Sequence, residues 1–310
     1  MNWKRFRFFP LFLLTLLTGC LEFAKQTMIY HYDKATDTLR IFQDYHGIFG
    51  ADAKGQPGEG LSVQEQDQLE SVLRGQRTFF FSNWIFEYNR ERVEEQLREL
   101  KIPEKRAELK LPEAGLVSLD KLLRLLHENV RVENGPFYFD AGKRLSGVQY
   151  LTVTRCSAVI AAANEFAPHF IKTQAEEENL PEEEKAARLR FAGHSVAVVH
   201  LEGNALTGRW PMSRRRYDQD FGPSANDAAN LAEAREAGLS FSFSDDVVTW
   251  KLGKPADAVT RLTLSFSTND YVPNLVGPVE RRHALLETFD AGAAADDFLL
   301  RNSKRSAAKK

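Results

Sequence analysis

The sequence predicts an α+β fold, with a largely antiparallel sheet built from hairpins and helices packed on one face. Two observations carry this. Segments of alternating polarity recur in pairs across short turns, which is how hairpins read in sequence. Segments with apolar residues three and four apart fall between those pairs and do not alternate with single strands, which argues against a parallel βαβ arrangement. A chain of 310 residues with 43% hydrophobic content can bury one large core. A single domain over residues 27–300 is expected.

The elements follow in order. Residues 27–33 alternate, 34–37 turn, and 38–45 alternate again. Pairing Tyr32 with Leu39 and Tyr30 with Ile41 puts one apolar face on the same side. Residues 47–60 are rich in glycine and read as a loop. Ser62 and Glu65 have capping-box spacing, which predicts a helix over 62–74 ended by Gly75. Residues 78–88 are dense in aromatics. They read either as a buried strand or as the start of the helix that runs through 90–100, and period alone does not separate the two. Pro103 and Pro112 bracket a charged connector. Ser118 is placed to cap a helix carrying Leu119, Leu122, Leu123, Leu125 and Leu126.

Asn134-Gly135 suits a type I′ turn. It predicts a hairpin with Val132 against Phe137 and Val130 against Phe139. Residues 145–154 read as a strand. Residues 156–166 read as a central helix, apolar on all sides, which Pro168 should kink or end. Pro181 opens another helix, and Glu182, Glu183 and Glu184 complement its macrodipole. Residues 195–201 and 205–210 form a hairpin around Gly203-Asn204. Residues 214–222 read as polar loop and 224–237 as a helix ended by Gly238. Residues 239–243, 247–252 and 260–267 alternate as strands. The basic tail over 301–310 is too polar to fold.

The chain holds 41 basic and 43 acidic residues. Eight of the bases sit at the two ends, where there are no acids, so the body between carries 33 bases against 43 acids. That sign argues against nucleic-acid binding.

The first seven residues carry Lys4, Arg5 and Arg7, and an apolar run follows over residues 8–19. A basic head, a short apolar core and small residues before a cut site make a secretory signal. A spanning helix needs about 20 apolar residues, so this run is too short to be a stable transmembrane anchor. The run closes on Leu17-Thr18-Gly19-Cys20, which resembles the lipobox of bacterial lipoproteins. The resemblance implies a signal peptide over 1–19, a diacylglyceryl group on the Cys20 thiol, cleavage before Cys20 and acylation of the new amine. Each buried CH₂ contributes about 0.8 kcal/mol, so two or three acyl chains hold a protein on a membrane. The implied address is the bacterial cell envelope. Leu21, where an Asp is absent, resembles the class sorted to the outer membrane, facing the periplasm. Residues 20–26 are expected to be a short tether. The motif covers only the start of the chain.

Among candidate chemistries, Cys156 stands at a strand-to-helix junction beside Arg155. A helix N-terminus lowers a thiol's pKa, and a nucleophilic Cys needs a His such as His194 or His200. The default for a lone Cys in an apolar helix is structural packing. His194, His200 and Glu202 are expected on one face of a strand, but six residues separate the two histidines by about 20 Å. No metal or cofactor set is visible. Arg214, Arg215 and Arg216 precede the helix expected at Ser224. They are candidates for holding an anion, against a default of solvated loop. Asp218 to Gly222 has the look of a turn. The aromatic residues of 79–88 and of 137–139 offer lining for an apolar cavity, with core packing as the default.

The functional expectation is a membrane-anchored envelope lipoprotein that binds or scaffolds without catalysis. Its partners are the membrane, through lipid on Cys20, and cell-wall or other envelope components met in part by the basic tail. The alternatives are an enzyme using Cys156 with a histidine, and a carrier of lipid or another apolar ligand.

Overall fold

The structure is a computed structural model. It describes residues 21–50, 88–177, 180–194, 196–221, 232, 235–236, 238–265 and 288–301. The lipobox, the expected helix at 62–74, residues 79–87 of the aromatic run and residues 302–310 lie outside these.

Strands β1 (Leu21–Asp33) and β2 (Thr38–Gly50) form the first hairpin. Its register pairs Tyr32 with Leu39 and Tyr30 with Ile41, as the alternation predicts. The strand begins at Leu21, so the segment expected to be a tether is paired backbone. The apolar alternation starts only at residue 27, and the earlier pairing partners over 45–50 carry no periodic signal.

Helices α1 (Arg90–Glu99) and α2 (Pro103–Glu108) follow, the second lying inside the expected connector. Helix α3 (Glu113–Asn129) starts five residues before the predicted Ser118 cap. Ser118 is instead buried within the helix, where its hydroxyl donates to the Gly115 carbonyl at 3.0 Å.

The Asn134-Gly135 hairpin does not form. Strand β3 (Val130–Phe139) runs straight through it. On β3 the paired residues step from Asn134 to Phe137 while β4 (Leu145–Val153) steps from Gln149 to Gly147. The extra residue is a β-bulge. A Cβ on Gly135 would lie 2.7 Å from the Tyr150 ring, so the glycine serves a close approach and not a turn. The real turn is built by Asp140, whose carboxylate accepts the N–H groups of Gly142 (2.8 Å) and Arg144 (2.9 Å).

Helix α4 (Cys156–Glu177) continues through Pro168. Packing on both flanks outweighs the lost hydrogen bond. Leu122 of α3 joins Ala162 and Phe166 on one side, and Ala167 and Ile171 join Phe191 of α5 (Glu182–Gly193) on the other. Helix α5 opens after Pro181 with its three glutamates, as predicted. Strands β5 (Val199–Glu202) and β6 (Ala205–Pro211) make the expected hairpin. Helix α6 (Arg214–Phe221) occupies the segment read as polar loop. Strands β7 (Leu239–Ser244), β8 (Val247–Leu252) and β9 (Thr260–Ser265) follow, and α7 (Ala291–Leu299) comes last.

The α+β architecture is therefore observed, with antiparallel pairing throughout the described strands. These strands form two sheets where a single sheet was expected. One has the order β3-β4-β2-β1-β9 and the other β5-β6-β8-β7. Between them lies the largest core among the described residues. Met28, Tyr30, Ile41, Leu151 and Leu262 from the first sheet meet Leu239, Trp250 and Leu252 from the second, with Val93 of α1 and Leu123 of α3. Helix α7 covers the opposite face of the first sheet, where Ala295, Phe298 and Leu299 pack with Ile29, Phe42 and Val148.

A polar joint locks the two sheets. Asn204, buried in the β5–β6 turn, accepts the Tyr32 N–H at 2.6 Å. Its amide donates to the carbonyls of Asp257 (2.6 Å) and Ala258 (3.1 Å). Its own carbonyl accepts the hydroxyls of Tyr30 (2.9 Å) and Thr260 (2.8 Å). One side chain and one carbonyl thus satisfy groups from β1, β9 and the loop before β9.

Candidate functional site

Cys156 is the first residue of α4, as predicted, but it is not activated there. It is 2% exposed and belongs to the core between the sheets. Burial, with the Asp37 carboxylate adding to it, pushes the thiol up to about 12. The reason lies in the first hairpin turn. Asp37 caps α4 from outside: its carbonyl accepts the Cys156 N–H at 3.0 Å and its carboxylate accepts the Ser157 N–H at 3.0 Å. The Ser157 hydroxyl (2.5 Å) and the Tyr32 hydroxyl (2.8 Å) also donate to it. Partial burial alone would raise the Asp37 carboxyl, but the Ser157 and Tyr32 donors and nearby Arg155 hold it below the ordinary range. A helix N-terminus occupied by a carboxylate no longer favours a thiolate.

The histidines do not join Cys156. His194 is the C-cap of α5, not a strand residue, and its Nδ1 meets the Arg190 carbonyl at 2.6 Å. His200 is exposed on β5, opposite Thr207, and shares that face with Glu202. The three arginines lie on α6 itself. Arg214 pairs with Asp218 at 2.9 Å and Arg216 with Asp220 at 2.8 Å, one helical turn on. Arg214 also stands 5.5 Å over the Phe243 ring, and Arg215 is exposed. These carboxylates are the ones that looked like a turn, and they oppose the anion-holding reading by neutralising the cations locally. Phe137 and Tyr138 pack into the sheet: Phe137 lies against Gly147, and Tyr138 against Phe289 at 5.0 Å.

The polar constellation that the sequence reading missed lies on the first sheet. Cross-strand partners share a face. Lys25 is paired with His46, His46 with Ser146, and Ser146 with Tyr138, so these four form one row over β1, β2, β4 and β3. Asp44, two residues from His46, lies on the same face and is 3% exposed. The Tyr138 hydroxyl donates to its carboxylate, 2.8 Å from Oδ1 and 3.0 Å from Oδ2. His46 Nε2 lies 3.3 Å from Oδ2. The Ser146 hydroxyl donates to the Arg144 carbonyl at 3.5 Å.

The site's electrostatics follow from burial. Loss of water pushes the Asp44 carboxyl up to about 6, against the Tyr138 hydrogen bond, with Asp140 adding and Lys25 and Arg261 opposing. Burial takes the His46 imidazole down to about 4, helped by Lys25 and Arg144 against Asp140. Burial also raises the Tyr138 hydroxyl, and Asp44 raises it further. At pH 7, therefore, Asp44 is a carboxylate and His46 is neutral, with Nε2 standing 3.3 Å from the Asp44 carboxylate.

The other face of the same strands carries a second buried polar row. Tyr45 donates to Gln149 Oε1 at 3.2 Å and receives the Gln43 amide, and Gln149 donates to Asn134 at 3.0 Å. The Gln26 amide nitrogen, at the end of this row, is buried with no hydrogen-bond partner among the described residues. One signal of both rows was present in sequence: Gln43-Asp44-Tyr45-His46 is polar on both faces of a strand. Compared with known proteins, the chain matches no family model, no curated protein and no solved structure.

Proposed function

We propose that this chain is a lipid-anchored protein of the bacterial envelope that acts by binding or scaffolding and not by catalysis. Acyl chains on Cys20 hold it, with the periplasmic face of an outer membrane as its address. The observation that carries this reading is Leu17-Thr18-Gly19-Cys20 closing a short apolar run behind a basic head. The fold is compatible with a close anchor, because paired strand begins at Leu21, one residue beyond Cys20. The buried, carboxylate-flanked thiol of Cys156 weighs against the cysteine-enzyme alternative.

Labelling growing cells with a palmitate analogue tests the anchor. The wild-type chain takes up label and partitions into the membrane fraction, and Cys20→Ser does neither. Label retained on Cys20→Ser, or absent from the wild type, removes the anchor from this account. Deleting residues 302–310 tests the tail: reduced association with anionic vesicles or isolated wall supports its part in binding, and unchanged association removes it.

A further inference from the structure

The register of the first sheet fixes which of its ends lies next to Cys20. Leu21 opens β1 opposite Gly50, the last residue of β2. The β3–β4 turn lies at the same end. It closes with the Asp140 N–H donated to the Arg144 carbonyl at 3.0 Å. Arg144 is two residues beyond Ser146, the partner of His46, and Gly50 is four residues beyond His46. At about 3.3 Å per residue, the tip of the turn over residues 141–143 comes within about 3 Å of the level of Gly50 and Leu21. A Cβ on Gly47 would stand 3.1 Å from the Ala24 Cβ and 3.7 Å from the Arg144 Cδ, so β2 is flanked there by β1 on one side and by the turn on the other. With neighbouring strands about 4.8 Å apart, β4 lies about 10 Å from β1. The opposite end of the sheet carries the β1–β2 turn, between Asp33 and Thr38.

The second sheet packs on one face of this sheet and α7 on the other, so its ends are what can meet a flat surface. At the Leu21 end the turn exposes Ala141, Gly142 and Lys143. The Asp140 carboxylate is taken up by the N–H groups of Gly142 and Arg144 and by the Arg144 guanidinium at 2.9 Å. That leaves Lys143 as the uncompensated charge of the turn among the described residues. Lys143 has a φ of 58°, in the region that favours glycine, so a cation is kept at the tip where a glycine would cost less. We propose that the Leu21 end of the first sheet faces the bilayer and that the β3–β4 turn is a second membrane contact, with Lys143 meeting the anionic phosphates of phospholipid headgroups. The proposal rests on the anchor at Cys20: its acyl chains put Leu21 at the headgroup layer, and the turn is level with Leu21. An ammonium suits that layer, because a compact charge on a flexible stem needs no fixed partner geometry. Two contacts about 10 Å apart hold the sheet upright, where one would let it swing.

The test uses residues 20–310, the processed chain, with one myristoyl-length chain coupled to the Cys20 thiol in vitro. A single chain of that length binds reversibly, so a second contact shows in the affinity. Vesicles of phosphatidylglycerol mixed with phosphatidylcholine are compared with phosphatidylcholine alone. Lys143→Gln is expected to weaken binding to the anionic vesicles about fivefold, the scale of one basic residue at such a surface, and to leave binding to phosphatidylcholine unchanged. Lys34→Gln removes the same charge from the exposed turn at the other end of the sheet and is expected to change neither. A second measurement does not depend on charge. A fluorescent residue in place of Ala141 should be quenched by lipid carrying a nitroxide on its headgroup, and one in place of Ala35, in the far turn, should not. All four of these side chains are exposed, and unchanged circular dichroism shows that the variants fold. No loss of affinity in Lys143→Gln, or an equal loss in Lys34→Gln, overturns the proposal. So does quenching at position 35 that matches or exceeds quenching at position 141. Because the acyl chain is attached in vitro, the experiment reports which end meets the bilayer whether or not cells acylate Cys20. Failed palmitate labelling removes the anchor, and a failed orientation test leaves the anchor standing, so the two readings fail separately.

Discussion

His46 Nε2 lies 3.3 Å from Asp44 Oδ2, on one face of β2, and folding transfers a proton between the two groups. In the unfolded chain the carboxyl titrates near 3.8 and the imidazole near 6.5, so at pH 5 the proton is on His46. In the folded chain the carboxyl is at about 6 and the imidazole at about 4, so at pH 5 it is on Asp44. The proton count is the same in both states. Between these limits the contact is a neutral acid beside a neutral base, not an ion pair.

The sign of each contribution can be separated by mutation. Asp44, with its raised pKa, contributes stability that is full below 3.8 and lost as pH rises through about 6. His46, with its depressed pKa, contributes stability present above 6.5 and lost as pH falls through about 4. Together they cancel. Relative to wild type, His46→Gln should therefore lose stability as pH rises from 4 to 6. Asp44→Asn should lose stability as pH falls from 6.5 to 4. Each slope amounts to about 3 kcal/mol over its window. Urea midpoints at several pH values measure this, and two parallel profiles would refute the exchange.

Asp37 joins the first hairpin to α4. Asp37→Ala keeps the backbone carbonyl that accepts the Cys156 N–H but removes the carboxylate that accepts the Ser157 N–H and the Ser157 and Tyr32 hydroxyls, and should cost about 1–2 kcal/mol in denaturant unfolding. The carboxylate's lowered pKa adds stability that is present above the ordinary carboxylate range and lost as pH falls through the lowered value. At pH 8 the native Cys156 thiol should not react with a disulfide reagent, and it should react once urea unfolds the chain. Rapid labelling of the native thiol would contradict its placement.

Asn204→Ala removes the acceptor for the Tyr32 N–H and the donor to the loop before β9. An unpaired buried amide costs about 1–3 kcal/mol, so a loss of about 2–3 kcal/mol is expected, carried mainly by separation of the two sheets. Hydrogen exchange should show faster opening of both β1 and β9. Exchange confined to the β5–β6 turn would mean that the joint does not couple the sheets.

Gly208→Ala tests the close packing of the second sheet. A Cβ at Gly208 would lie 2.2 Å from the Trp250 ring, which is 2% exposed and cannot swing into solvent. Overpacking of this kind costs about 1–3 kcal/mol or more. The variant should melt below wild type with a shifted tryptophan emission, and an unchanged melting point would count against the packing described.

Much of the fold was legible in the sequence. The register of the first hairpin, the β5–β6 hairpin, the strand at Leu145–Val153, the helix opening at Cys156 and the glutamate-led α5 all follow from local pattern. Local chemistry also misled. Asn134-Gly135 carries turn residues, but its glycine answers the Tyr150 ring on the neighbouring strand, which only cross-strand pairing brings there. Arg214 to Asp220 looked like loop because its apolar contacts are few, and its i,i+4 ion pairs emerge only once the helix exists.

The sequence alone determined the class of fold, the antiparallel pairing and the alternation that tells one strand face from the other. It could not say which of those faces would be buried twice. Asp44 and His46 sit at positions that alternation assigns to solvent. Only tertiary structure decided otherwise, by bringing α7 and the segment before it, some 245 residues further along, over that side of the sheet. Burial is a property of what packs across a face, and period reports only which residues share one. That is why a proton-exchanging carboxylate and imidazole appeared in the fold and not in the pattern.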